Sequence, residues 1–132
     1  MSMPRSSSYS DTDTRTVALA GAIAACRRAT APSRALDAQI ALAVFPSLIE
    51  LQDADTGIWI QADGTRVRAL RYSEARSAAA TLVPPGFWIE ETGASTAVLG
   101  PDGTWADGHR DHVIALCIAA LSARLAGAAR DH

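Results

Sequence analysis

Six residues of this 132-residue chain combine types and spacing that are typical of a binding surface. An indole can stack on planar groups, and guanidinium groups bind phosphate or carboxylate, so the set could recognise a nucleic acid or an acidic partner. The alternative is structural: a helix covers this segment, or an arginine stacks on the indole as a cation–π pair. The six residues are Trp59, Gln61, Arg66, Arg68, Arg71 and Arg76.

A second cluster precedes the last predicted helix. His109 and His112 are three positions apart, so both imidazoles could lie on one side of a helical turn and share a metal ion. No third ligand follows at a spacing typical of a metal site. The alternative is an ordinary helix start, in which Asp111 caps the helix and both histidines are solvated. We therefore assign no metal and no cofactor.

The two cysteines both lie in apolar helical patterns. Such surroundings raise the pKa of a thiol and lower its reactivity, so Cys26 and Cys117 are predicted to be buried free thiols. No Gly-x-Ser-x-Gly motif marks a hydrolase nucleophile. The sequence therefore offers no catalytic residues and predicts a protein that is not an enzyme, with an enzyme as the last alternative.

The run Ile23-Ala24-Ala25-Cys26 resembles a bacterial lipoprotein cleavage box. A signal peptide begins with a clearly positive segment, but here Asp11 and Asp13 lie close to Arg15. We interpret the run as part of an amphipathic helix, with lipoprotein processing as the alternative.

Composition excludes several classes of protein. Apolar residues make up 48% of the chain and charged residues 20%, which suits one globular domain. No stretch approaches the roughly 20 apolar residues that cross a bilayer, which argues against an integral membrane protein. The net charge of −2 argues against nucleic acid as the partner. All twelve basic residues are arginine, a bias that the codons of a high-GC genome produce.

A β-hairpin over residues 57–69 positions the first cluster. Its turn contains Asp63-Gly64, a pair that favours a two-residue type I′ turn. This turn would place Ile60 opposite Val67 and Trp59 opposite Arg68. The aliphatic side chains would then face inward, and the indole and the guanidinium groups would share the outer face.

Four helices are predicted from capping residues and helical periodicity. The first covers 15–29, has a small apolar face of Val17, Gly21, Ala24 and Ala25, and could pack on another copy or another protein. Ser33 and Ser73 are predicted to cap the next two helices. The last helix covers 110–126, ends at Gly127, and should be the most buried because apolar residues occupy most of its circumference.

With a second hairpin at 87–99, the element order is α-α-ββ-α-ββ-α. This order predicts an α+β fold, in which helices sandwich a small antiparallel sheet of two β-hairpins. Residues 1–14 are predicted to be a flexible tail, 15–30 an accessory helix, 33–127 the single domain and 128–132 a frayed end.

Two blocks of sequence carry a family resemblance that covers about residues 33 to 126. One is Tyr72-Ser73 followed by Ala78-Ala79-Ala80-Thr81-Leu82-Val83-Pro84-Pro85-Gly86-Phe87-Trp88, and the other is Ala115-Leu116-Cys117-Ile118-Ala119-Ala120-Leu121-Ser122-Ala123-Arg124. They resemble the small phage and prophage proteins grouped as the phage ABA sandwich domain. The resemblance implies helices around a small antiparallel sheet and a phage or prophage origin, and it brings no catalytic residues.

We therefore expect a phage or prophage accessory protein that binds another protein, such as a host defence factor, in the bacterial cytoplasm. The partner would be a host or phage protein, or a second copy of the chain. A virion component (minor capsid, neck or decoration protein) is the first alternative. A nucleic-acid-binding module is the second.

Overall fold

The computed structural model describes residues 6–130, with side chains described over 14–129. The α+β class is confirmed, but the two hairpins do not share one sheet: each gains a strand, giving two separate three-stranded antiparallel sheets. In chain order the elements are α1 (Ser6–Arg28), α2 (Arg34–Val44), a 3₁₀ helix (Pro46–Glu50), β1 (Gln52–Asp55), β2 (Ile58–Ile60), β3 (Arg66–Arg68), α3 (Arg76–Ala80), β4 (Trp88–Glu91), β5 (Thr96–Gly100), β6 (Gly103–Asp107) and α4 (His112–Arg130).

Helix α4 is the centre of the core, as the sequence predicted. The Asp111 carboxylate accepts hydrogen bonds from the backbone N–H groups of Val113 and Ile114, at 2.9 and 3.1 Å, and so caps the helix. Every residue over 114–121 is buried, because α1, α3 and the strands β5 and β6 surround this part of the helix. The helix does not end at Gly127, which lacks the positive φ of a helix-terminating glycine.

The predicted ends of the chain need correction. Helix α1 begins at Ser6, so much of the segment predicted as a flexible tail is helical, while residues 1–5 lie outside the described part. Adding polar residues to a helix that packing has already nucleated costs little free energy. At the other end, Ala128 is buried within α4, and residues 131 and 132 are outside the described part.

Helix α1 packs against α2 and α4, and its buried residues are part of the hydrophobic core. Val17 is 69% exposed, whereas Leu19 is buried. Both candidate faces repeat at helical spacing, but the buried one carries more aliphatic carbon and removes more apolar area from water. The predicted face consists of Val17, Gly21, Ala24 and Ala25, and the observed buried face consists of Leu19, Ala22, Ile23 and Cys26.

The first hairpin forms with a register that is one residue away from the predicted one. Trp59 lies opposite Val67 rather than Arg68. A type I′ turn needs a positive φ at two residues, but in this loop only Gly64 has one, at +88°. The N–H of Gly64 donates to the carbonyl of Gln61 at 2.9 Å, as in the longer loop that joins a type I turn to a bulge.

A buried polar network joins the start of α2 to the segment after β3. Ser33 caps α2 as predicted, but Ser73 does not cap α3, which begins at Arg76. Instead, the hydroxyl and the N–H of Ser73 donate to one carboxylate oxygen of Asp37, at 2.6 and 2.8 Å. The other oxygen of Asp37 accepts from Arg34 at 2.8 Å. Asp37 is 2% exposed, and these bonds satisfy it.

Helix α4 also corrects the expectation that no segment is apolar enough to span a membrane. By length and composition alone, residues 112–129 could do so, because the mean hydropathy of this segment stays high although it contains one arginine. More than half of this segment is buried inside the fold, as in the core helix of a folded domain.

Candidate functional site

An open apolar groove of about 580 Å³ lies between four parts of the fold. The end of α2 and the 3₁₀ helix form one wall, and β3 with the segment after it forms another. The C-terminal side of α3 and one turn of α4 complete the lining. The apolar lining residues are Ala41, Val44, Phe45, Leu48, Leu51, Val67, Ala69, Leu70 and Leu82, and the polar ones are Ser47, Glu50, Gln61, Arg68, Tyr72, Thr81 and Arg124.

Large apolar side chains are exposed at the groove. Phe45, which is 53% exposed, lies between the end of α2 at Val44 and the 3₁₀ helix that begins at Pro46, a residue that cannot continue the α-helix. Leu70, on another wall, is 48% exposed. Ile49, in the 3₁₀ helix but outside the lining of the groove, is 78% exposed. Phe45 and Leu70 thus expose apolar surface at one groove, which is typical of an interaction site.

Two arginines, Arg68 and Arg124, line the groove, and Arg124 is the more buried of the two. The Nε of Arg124 donates to the Leu82 carbonyl at 2.6 Å, and no carboxylate among the described residues forms an ion pair with its guanidinium group. Burial, and secondly the charge of Arg15, lower the pKa of Arg124, while Tyr72 acts in the opposite direction. Arg15 and Arg124 also line a second, smaller cavity of about 280 Å³. The surroundings therefore disfavour a positive charge that the side chain nevertheless carries.

Tyr72 is the second polar residue that the groove brings close to this cation. Its side chain is 3% exposed, and burial raises the pKa of its hydroxyl, while Arg124 opposes the shift. The hydroxyl makes no hydrogen bond with any residue of the described chain. Most buried hydroxyl groups have a partner, so this one is an exception that needs an explanation.

The polar network described above holds the wall that carries Leu70 and Tyr72. Besides its bond to Asp37, Arg34 donates to the carbonyls of Ala69 and Leu70, at 2.9 and 3.3 Å. The thiol of Cys117 contacts the Tyr72 carbonyl at 3.1 Å. The backbone of this wall is therefore fixed by two helices, and the groove is a preformed feature.

The structure does not assemble the surface predicted from the first hairpin. Trp59 is 3% exposed and packs in the core, because the observed register puts it on the inner face with Val67. It therefore offers no exposed stacking platform. Of the other predicted residues, Gln61 and Arg68 line the groove, and Arg66 is exposed opposite Ile60.

Two predicted arginines form exposed ion pairs away from the groove. Arg71 lies 3.5 Å from Glu74, and Arg76 lies 3.0 Å from Glu91. Exposed pairs such as these contribute little to stability. Neither arginine lies in the lining of the groove.

The histidines are not arranged as metal ligands. Nδ1 of His109 accepts the N–H of Asp111 at 2.9 Å, and Nε2 lies 2.8 Å from the Ala29 carbonyl, to which it can donate. Both nitrogens of His109 are therefore engaged with the backbone, and His112 is exposed. Within residues 14–129 no group of three potential ligands surrounds a common point.

Both thiols are free and buried, as predicted. Burial, followed by the charges of Asp107 and Asp37, raises the pKa of Cys26 to about 12. Burial and the neighbouring Cys26 raise the pKa of Cys117 as well. Neither thiol is therefore a nucleophile in the folded chain. Cys26, the cysteine of the run that resembles a lipoprotein cleavage box, lies inside α1.

Sequence reasoning missed the four residues that define the groove: Phe45, Leu70, Tyr72 and Arg124. One signal was available, because Arg124 is the only charged residue over 113–129. A single charge in an apolar helix needs a partner or a function. Nothing in the sequence shows that Phe45 and Leu70 line the same cleft, since this depends on tertiary packing.

Comparison of the chain with protein-family models, with curated proteins and with solved structures finds no match. The resemblance to the phage ABA sandwich domain therefore stays a prediction from the two sequence blocks.

Proposed function

We propose that this chain is a non-enzymatic protein-binding module, which receives an apolar segment of another protein in the groove. The observation that carries the proposal is the preformed cleft with Phe45 and Leu70 half exposed at its walls. Burial of such side chains on association supplies the main favourable free energy of a protein interface. The groove volume accommodates a few side chains of a partner.

The resemblance to the phage ABA sandwich domain supports a narrower form of this proposal. In that form the chain is a phage or prophage accessory protein, and its partner is a host protein of the bacterial cytoplasm. The net charge of −2 and the burial of Trp59 support a protein partner rather than a nucleic acid.

Photo-crosslinking in cells tests the location of the interface. A photoreactive amino acid at Leu70 should yield one discrete crosslinked product, whereas the same group at the exposed Val17 on α1 should not. The variant Phe45→Glu/Leu70→Glu should lose the complex, because two buried carboxylates are costly to desolvate. The matched Val17→Glu variant should retain it.

Identification of the crosslinked product by mass spectrometry separates the possible partners. A host protein supports the narrower proposal, and a capsid or tail protein supports a virion component instead. Crosslinking from Val17 with none from Leu70, or a complex that survives the double substitution, would remove the groove as the interface.

A further inference from the structure

Two polar residues that line the groove lack a partner within the described chain: the Tyr72 hydroxyl has no hydrogen-bond acceptor, and the Arg124 guanidinium group has no carboxylate. The Tyr72 side chain is almost fully buried, and its hydroxyl is without a hydrogen bond to the described residues. The guanidinium group of Arg124 uses Nε on the Leu82 carbonyl, and no described carboxylate neutralises it. Both residues line the same groove and interact electrostatically.

The chemistry of a suitable occupant follows from these two groups. A guanidinium group and a phenol hydroxyl are hydrogen-bond donors, and a carboxylate offers two acceptor oxygens to match them. Arg15, which lines a separate cavity with Arg124, adds positive charge near this guanidinium group, and within the groove the charge of Arg68 offsets that of Glu50. The remaining lining is mainly apolar, so an anion alone would leave most of the groove empty.

We propose that the segment bound in the groove carries an Asp or Glu side chain beside its apolar residues, and that this carboxylate binds Arg124 and Tyr72. The inference rests on the proposed function, since it specifies the partner of the same groove. The apolar side chains of the segment contact Phe45 and Leu70. The carboxylate supplies the acceptor that the tyrosine hydroxyl lacks and the charge that the arginine lacks.

Selection from a library of randomised linear peptides, displayed between linkers so that only side-chain carboxylates are available, tests the inference. The full-length protein is the target. We call a peptide groove-dependent if it binds the wild-type protein and the Val17→Glu variant but does not bind the Leu70→Glu variant. We expect these peptides to be enriched in Asp or Glu adjacent to a large apolar residue.

A synthetic peptide from that group then gives a double-mutant cycle. Replacing its acidic residue by Gln or Asn should weaken binding to wild type about tenfold or more, the size expected for a charge-assisted hydrogen bond. The same replacement should have little effect on binding to Arg124→Gln and a reduced effect on binding to Tyr72→Phe. Tyr72→Phe removes only a hydroxyl that has no bond in the free protein, so its fold should persist. Arg110→Gln, an exposed arginine outside the groove, is the matched control.

Two kinds of result would overturn the inference. One contradicts the carboxylate alone, and the other also contradicts the proposed function. Groove-dependent peptides without acidic enrichment, or a cycle with no coupling to Arg124, would contradict the carboxylate and leave the proposed function intact. A selection that yields no groove-dependent peptide would contradict both.

Discussion

At the scale of single residues, the thiols show what local pattern can and cannot predict. Apolar helical surroundings correctly predicted that Cys26 and Cys117 are buried and free. The same reasoning could not predict that Tyr72 is buried without a hydrogen bond, because its neighbours come from distant parts of the chain. Periodicity reports the average polarity of a surface, but it does not report the partner of one polar atom.

The raised pKa of Cys26 predicts a loss of stability at alkaline pH. The unfolded thiol ionises near its ordinary value of 9.0, while the folded thiol keeps its proton up to about pH 12. Between these values the unfolded state binds fewer protons, so the free energy of unfolding falls as pH rises. The free energy of unfolding can be measured by urea titration at several pH values from 9 to 12. Its decrease with pH should be smaller in Cys26→Ala than in wild type, by about 1.4 kcal/mol per pH unit. Val17→Ala should leave it unchanged, and equal slopes for Cys26→Ala and wild type would contradict the prediction.

At the scale of elements, sequence located the second hairpin better than the first. The strands of the second hairpin form within the predicted range 87–99, and a further strand, β6, pairs with β5. In the first hairpin, Asp63-Gly64 suits either a two-residue loop or a longer loop with glycine at its end. Burial of the larger Trp59 side chain beside Val67 agrees with the longer loop, and turn chemistry alone does not contain this information.

Two glycines give a matched test of packing in these elements. A Cβ atom at Gly100 in β5 would overlap the ring of Phe87, whose centroid lies 5.8 Å from that of Trp105. Gly100→Ala should therefore destabilise the fold by about 1–3 kcal/mol, the usual result of overpacking. A Cβ atom at Gly127 in α4 meets nothing within 4 Å, so Gly127→Ala should stabilise the helix by up to about 1 kcal/mol. Chemical denaturation of both variants checks the opposite signs, and destabilisation by both would contradict the packing described for α4.

At the scale of the whole molecule, the packing of α1 determines whether the folded unit includes this helix. The alanine-rich sequence suggests an accessory helix because its predicted apolar face, Val17, Gly21, Ala24 and Ala25, consists mostly of small residues and omits Leu19. In the structure, α1 covers α4 and α2. Sequence periodicity identifies a face, but the choice between two weakly apolar faces depends on which one fits against α4.

This arrangement predicts that the chain folds as one unit that includes α1. Leu19 is 1% exposed, so Leu19→Ala should lower the free energy of unfolding by about 2–5 kcal/mol, whereas Val17→Ala should change it by less than about 0.5 kcal/mol. A chain that begins at residue 33 would leave the α1-facing side of α4 in water. Its amide proton spectrum should therefore lose the dispersion of a folded protein. A dispersed spectrum from the shortened chain, together with equal effects of the two alanine substitutions, would show that α1 is dispensable and that the groove can form on residues 33–127 alone.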